Sequence, residues 1–194
     1  MSAKSRPAVS KEQRYLEAGL RCMNRVGIAG ATMDAIATEA GVKRITLYRC
    51  FGSRTHLIRL IVRSQFESFL ERFAQRIVPG SSVASLLEEY FLYSMDEMLR
   101  DAVTRETIQG KLDFTAPGEP LHAAARAFWG PILGAPRSGK TPLPKAELDL
   151  AAQWILVCQF TLCRLQIEAP MDIATARKLI RSYIGPAFGG GAKR

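Results

Sequence analysis

The sequence has little with which to perform catalytic or metal chemistry. It holds two histidines, His56 and His122, and four cysteines, Cys22, Cys50, Cys158 and Cys163. No CxxC pair is formed and neither histidine stands at zinc-ligand spacing from a cysteine, so no zinc site is written into the chain. GxSxG and HExxH are both missing, and no carboxylate–histidine cluster is evident by spacing. No metal, cofactor or catalytic residue is therefore expected. Each cysteine falls in an apolar helical pattern and reads as a reduced, buried thiol of a cytoplasmic protein. Also lacking are an uninterrupted apolar run of about 18 residues, as a membrane span needs, and an apolar segment behind Lys4 and Arg6 to make a signal peptide. No stretch alternates like a strand for more than a few residues. The fold class is all-α, in the cytoplasm, with no membrane.

Acidic residues are scarce in one part of the chain. Of 194 residues, 47% are hydrophobic and 23% charged, ordinary values for a folded soluble protein and enough for a small head on a larger body. The net charge is +9, but residues 1 to 64 hold 12 Lys/Arg against 4 Asp/Glu while residues 65 to 194 hold 15 against 14. A surplus confined to one end points to a polyanion bound there: nucleic acid first, an anionic membrane surface second.

What is abundant is helical periodicity. Ser10 with Gln13 is a capping-box pattern before a first helix over about 11–26, which Gly27 ends. Thr32 caps a second helix, with Asp34 in its first turn and Gly41 at its end, and a third short helix runs from Lys43 to Cys50. Gly52-Ser53 opens a long fourth helix that keeps an apolar period to Ile77, and Pro79-Gly80 stops it. Ser85 with Glu88 suggests the cap of a fifth, and one or two short helices are expected between Thr104 and Gly118. A further helix spans Leu121 to Trp129 and is closed by Pro131. The last two helices cover about 145–168 and 171–184, the second ended by Gly185-Pro186. Within Trp154 to Ile167 ten of fourteen residues are apolar on every side. Such a helix lies at the centre of the body or gives its second face to a partner. About nine helices result, in a helix-turn-helix domain over 1–53, a helical body over 54–188 and a tail over 189–194.

Gly134 to Thr141, GAPRSGKT, matches the phosphate-loop pattern GxxxxGK[ST] and would make the chain a nucleotide-binding enzyme. That chemistry needs a strand entering the loop and a helix starting at the lysine. Here a helical segment precedes the motif, and Pro144 would break the required helix. Nucleotide binding is kept as the alternative function.

The stretch from Thr32 to Arg54 carries a more restrictive pattern. Ala37 stands where two helices must approach closely, Gly41 where the turn needs a left-handed backbone, and Leu47 in the seam between the helices. A large residue at the first position would separate the helices, and a Cβ at the second would strain the turn. Ile36, Val42 and Phe51 complete the core. Lys43 and Arg44 begin helix three and Arg54 begins helix four, where the helix dipole disfavours cations unless phosphates arrive to meet them.

On ATMDAIATEAGVKRITLYRCFGSRTHLI, residues 31 to 58, the chain resembles the tetracycline-repressor (TetR) family of bacterial transcriptional regulators. The resemblance implies a three-helix DNA-binding head, an all-α ligand-binding body, and a homodimer formed through the last two helices. It also implies double-stranded operator DNA as partner, released when a small-molecule effector binds. The family's capping Thr is matched by Thr32, its phosphate-reaching Tyr by Tyr48 and its buried Phe by Phe51, while Arg54 replaces the usual Lys at the start of helix four. Candidate DNA-binding residues are Lys43, Arg44, Thr46 and Arg49 near base edges or adjacent phosphates, with Thr32, Tyr48 and Arg54 on phosphate. Ile45 stands where the family commonly has a small residue, and Cys50 where it often has His or Tyr. Ile45 would either crowd the recognition helix away from DNA or touch a thymine methyl. In the body, Tyr90, Tyr93, Phe128, Trp129 and Trp154 are candidate ligand-binding residues, because amphipathic rings line a pocket and keep a polar handle. Few charges lie on those faces, which suits an apolar or aromatic effector.

Overall fold

The structure is a computed structural model that describes residues 10–110, 114–116, 118–135 and 144–189. Among the described residues it contains helices and no strand. Two compact units are formed, Met1–Ser64 and Gln65–Arg194, and the division falls inside a long helix rather than at its start.

The first unit is built by α1 (Lys11–Gly30), α2 (Met33–Ala40), α3 (Arg44–Phe51) and the first turns of α4 (Arg54–Ala74). Ser10 caps α1 by accepting from the Gln13 N–H at 3.1 Å, as the sequence pattern anticipates. Gly27 breaks α1 with φ 73° and ψ 170°, and one more turn follows to Gly30. Only a glycine takes that backbone without strain. Ala18, Cys22, Ile36, Leu47, Leu57 and Ile61 are at most 1% exposed and form the centre of the unit. The start of α4 belongs here because Gly19 on α1 lets it approach: a Cβ on Gly19 would lie 2.4 Å from Ile61 Cδ1.

In the second unit α5 (Val83–Glu97) is capped by Ser82, whose Oγ accepts from the Ser85 N–H at 3.1 Å. The sequence pointed to Ser85. Buried Val83 already belongs to the apolar face of the helix, so the cap falls three residues earlier. A 3₁₀ turn (Met98–Arg100) and α6 (Ala102–Gln109) follow, with Asp101 capping α6 through the Thr104 N–H at 2.7 Å. Next comes α7 (Pro120–Gly134), which runs through Pro131 instead of ending before it. Pro131 is on the exposed side of the last turn, and the continuation buries Leu133 and brings Gly134 against Leu148. Burial of that leucine, worth about 1.5–3 kcal/mol, offsets the lost hydrogen bond.

The most extensive helix pair joins α7 to α8 (Lys145–Glu168), which also packs on α5 and α6. Among the described helices α8 is the one long and apolar enough to cross a membrane by length and composition, and 39% of that stretch is buried within the body. After α9 (Ile173–Leu179) the backbone widens into a π turn (Ile180–Ile184) and continues as α10 (Gly185–Gly189). The sequence suggested an end at Gly185-Pro186. The wider turn bonds the Gly185 N–H to the Ile180 carbonyl five residues back, which makes room for the Pro186 ring.

The centre of this body is aromatic. Tyr90 meets Trp129 edge to face at 4.9 Å between centroids, and Phe73 at 5.1 Å. Tyr90 Oη donates to Gln159 Oε1 at 2.5 Å, and Gln159 Nε2 donates to Ser94 Oγ at 3.2 Å and Met98 Sδ at 2.8 Å. Burial holds the Tyr90 phenol well above its usual pKa, so it stays a donor. A polar knot of this kind, buried between α5 and α8, fixes their relative position more tightly than apolar contact alone.

Three of the four thiols are buried, and burial pushes Cys163 up to about 12 and Cys158 to about 11. Cys50 is exposed, contrary to the expectation of four buried thiols. It lies on α3 away from the side carrying Leu47 and Phe51, which are 0% and 6% exposed.

Candidate nucleic-acid interface

The geometry of the head starts at Thr32. Its Oγ1 accepts from the Ala35 N–H at 3.1 Å, which caps α2 and leaves the hydroxyl proton free to donate outward. At the other end of α2, Gly41 has φ 66° and ψ 32°, the left-handed conformation. The Gly41 N–H then reaches the Thr38 carbonyl at 3.1 Å and the Val42 N–H the Ala37 carbonyl at 3.0 Å, a Schellman closure. The chain turns toward α3 within these residues. Ala37, 3% exposed, and Leu47, fully buried, lie in the core of the resulting pair.

Burial of Leu47 and Phe51 turns the opposite side of α3 outward. Ile45 is 53% exposed, and Lys43, Arg44 and Arg49 are exposed too. Lys43 occupies the cap position with no side-chain hydrogen bond, and no acidic residue stands in the first turn of α3. The amides there are consequently open to an anion. Arg44 is held in place: Nη1 donates to Asp34 Oδ2 at 3.1 Å, Nη2 to Tyr48 Oη at 3.2 Å, and the guanidinium lies 5.2 Å from the Tyr48 ring centroid. Asp34 thus aims Arg44 and Tyr48 as a set, a role that the sequence did not reveal. Thr46 and Tyr48 are half-buried. Among the described residues Lys43 and Arg49 form no ion pair, in contrast to Arg21 and Arg25, which close on Glu39 at 3.3 and 3.1 Å. Those two guanidinium groups, Arg25 first, pull the Glu39 carboxyl below its usual pKa.

Arg54 is placed differently from its expected position on phosphate. Its Nε donates to the Ala31 carbonyl at 2.9 Å, and Nη2 donates to the carbonyls of Ile28 and, at 3.2 Å, Ala29. The side chain is part-buried against the end of α1.

Of the five aromatic residues proposed for the body, Tyr90, Tyr93, Phe128 and Trp129 are joined by ring contacts through Phe73 and with one another. Tyr90 and Trp129 are fully buried core. Tyr93 is half-buried, stacked on Phe69 at 5.3 Å and covered by the Arg76 guanidinium at 4.9 Å. Phe128 is half-buried beside Trp129 and lines a groove of about 340 Å³ with Leu70, Ala74, Ala124 and Ala127, edged by Glu67 and Glu71. Trp154 is 51% exposed on the outer face of α8. Of the phosphate-loop motif, Gly134 ends α7 and Ala135 follows; residues 136–143 lie outside the described residues. A helix enters that motif where the chemistry needs a strand. No group of three or more His, Cys, Asp or Glu that could hold a metal occurs among the described residues.

The described residues thus hold a helix-turn-helix with an outward cationic helix and, in the second unit, helices alone. Residues 16–61 match the family model of bacterial regulatory proteins of the tetR family. Several solved proteins share the fold. A TetR transcriptional regulator from Rhodococcus sp. RHA1 is 22% identical, with 88% of this chain and 91% of that one covered at a TM-score of 0.66. A protein from Shewanella sp. PV-4 assigned to the tetR family is 19% identical over 88% and 94%, TM-score 0.62. The fatty acid degradation regulator FadR from Bacillus halodurans is 15% identical over 94% and 98%, TM-score 0.57. No curated protein matches in sequence. The chain carries the amino-terminal domain of the tetR family and has the fold of a tetR-family transcriptional regulator.

The turn at Gly41 gives a direct test of the frame. Gly41→Ala places a Cβ on a left-handed residue and is expected to lower the unfolding free energy by about 1 kcal/mol, measured by urea titration. No loss would mean that the turn does not depend on that conformation.

Proposed function

We propose that the chain is a ligand-responsive transcriptional repressor that occupies a two-fold operator as a homodimer and is released by a small apolar or aromatic molecule. The observation that carries this reading is the outward face of α3, where Lys43, Ile45 and Arg49 project beside an uncapped helix start. Lys43, Thr32 and Tyr48 are assigned to phosphate, and Arg44, Thr46 and Arg49 to base edges and the phosphates next to them. The protein acts by binding in the cytoplasm, where its DNA lies.

Dimerisation is assigned to α8 and the helical path from α9 to α10. Leu150, Trp154 and Leu165 recur along one face of α8 with exposures of 66%, 51% and 39%, and Ile173 and Tyr183 are exposed by 70% and 81%. Apolar surface of this extent calls for a cover, and a second copy of the same helices supplies one of matching chemistry. This also accounts for an α8 that is apolar on every side. The effector is assigned to the groove beside Phe128, whose floor of Leu70, Ala74, Ala124 and Ala127 is apolar.

Mobility shift on the DNA upstream of its own gene, repeated across salt concentrations, tests the DNA assignment. Lys43→Ala is expected to weaken binding to all sequences alike and to reduce the salt slope by about one. Arg49→Ala is expected to relax discrimination by about 1–3 kcal/mol at one base position. Unchanged salt slope and unchanged discrimination would sink the assignment. For the assembly, Trp154→Glu is expected to sediment as a monomer and to lose cooperative occupation of paired half-sites; a variant that remains dimeric would place the interface elsewhere.

A further inference from the structure

Arg54 joins the first turn of α4 to the end of α1, and its surroundings differ from those of Lys43, Arg44 and Arg49. Lys43 and Arg49 project with no ion pair among the described residues, and Arg44 leans on Asp34 and Tyr48 at the surface. The guanidinium of Arg54 is instead part-buried, and its Nε and Nη2 donate to the carbonyls of Ala31, Ile28 and Ala29. These carbonyls belong to the turn beyond the break at Gly27, at the end of α1, where the Ile28 carbonyl also accepts from the Ala31 N–H at 3.3 Å. Ala31 itself is fully buried, and the next residue, Thr32, is the cap of α2. One side chain therefore closes the end of α1, fixes where α2 begins and ties both to the first turn of α4.

Resting on the reading of the head as a DNA-binding unit, we propose that Arg54 is a positioning residue for DNA recognition: it clamps the junction between α1 and α2 through three backbone carbonyls, and it is not a phosphate contact. The planar fork is what the job requires. Nε and Nη2 point along one edge of a rigid plane and meet carbonyls that diverge from a single turn, whereas lysine offers a compact charge on a flexible stem. Loss of these charge-assisted bonds would take the guanidinium donors from carbonyls at a part-buried helix end and let the Thr32 cap drift. The recognition helix follows α2 through the tight turn at Gly41, so drift at Thr32 is passed on to α3.

Arg54→Lys and Arg54→Gln in the full-length protein separate the two roles. Duplexes selected by the wild type from a random pool serve as the DNA, with amide hydrogen exchange of the free protein read in parallel. A clamp predicts that Arg54→Lys loses about tenfold in affinity although the charge is kept. It further predicts that the Ala35 and Ile36 amides, which bond to Thr32, exchange faster in both variants, and that the salt slope of Arg54→Lys stays that of the wild type. A phosphate contact predicts that Arg54→Lys binds like the wild type, that Arg54→Gln reduces the salt slope by about one, and that exchange in the free protein is unchanged. Wild-type affinity of Arg54→Lys, or unchanged exchange at Ala35 and Ile36, would overturn the proposal. Failure of the wild type to select any duplex would remove the DNA-binding reading while the exchange measurement still judged the clamp.

Discussion

What α3 presents depends on a left-handed turn of a few residues at Gly41. Its left-handed conformation directs two N–H groups onto the last carbonyls of α2, and the chain leaves toward α3 with Leu47 aimed inward. With Leu47 and Phe51 committed to the core, α3 can turn only one side to solvent, and the residues there are the ones with charge or bulk to offer. Steric requirements and electrostatics thus occupy different faces of a helix eight residues long. Substitution on one face leaves the other intact, which is how such a head keeps its shape while changing the sequence it reads.

The body uses another device. Its aromatic centre would by itself allow sliding between helices, but the chain Tyr90–Gln159–Ser94–Met98 admits one arrangement of α5 and α8 in which all the donors and acceptors meet. Around that fixed centre, the apolar surface left on the outer face of α8 and the groove beside Phe128 face outward rather than into the core.

Much of this was legible in the sequence, and the pattern of success is physical. The caps at Ser10 and Thr32 and the turn at Gly41 are set by residues within a turn of one another, so short spacing reveals them. What stayed hidden depends on distance along the chain or on which neighbour a helix meets. Arg54 reads as a basic residue at a helix start, whereas its partners lie 23 to 26 residues earlier. Pro131 reads as a stop, but buried Leu133 carries α7 past it. Gly185-Pro186 reads the same way, and a π turn absorbs it. Trp154 and Trp129 are alike in type; their exposures of 51% and 0% follow from the packing of α7 on α8, which periodicity cannot supply.

The central claim is that the face of α3 bearing Lys43, Ile45 and Arg49 reads DNA for a two-fold assembly. Selection of bound duplexes from a random-sequence pool, followed by sequencing, addresses it most directly. The account predicts enrichment of an inverted repeat whose half-sites are centred about one helical turn, 10–10.5 base pairs, or a multiple apart. Enrichment of a single asymmetric half-site, or of no sequence at all, would contradict it.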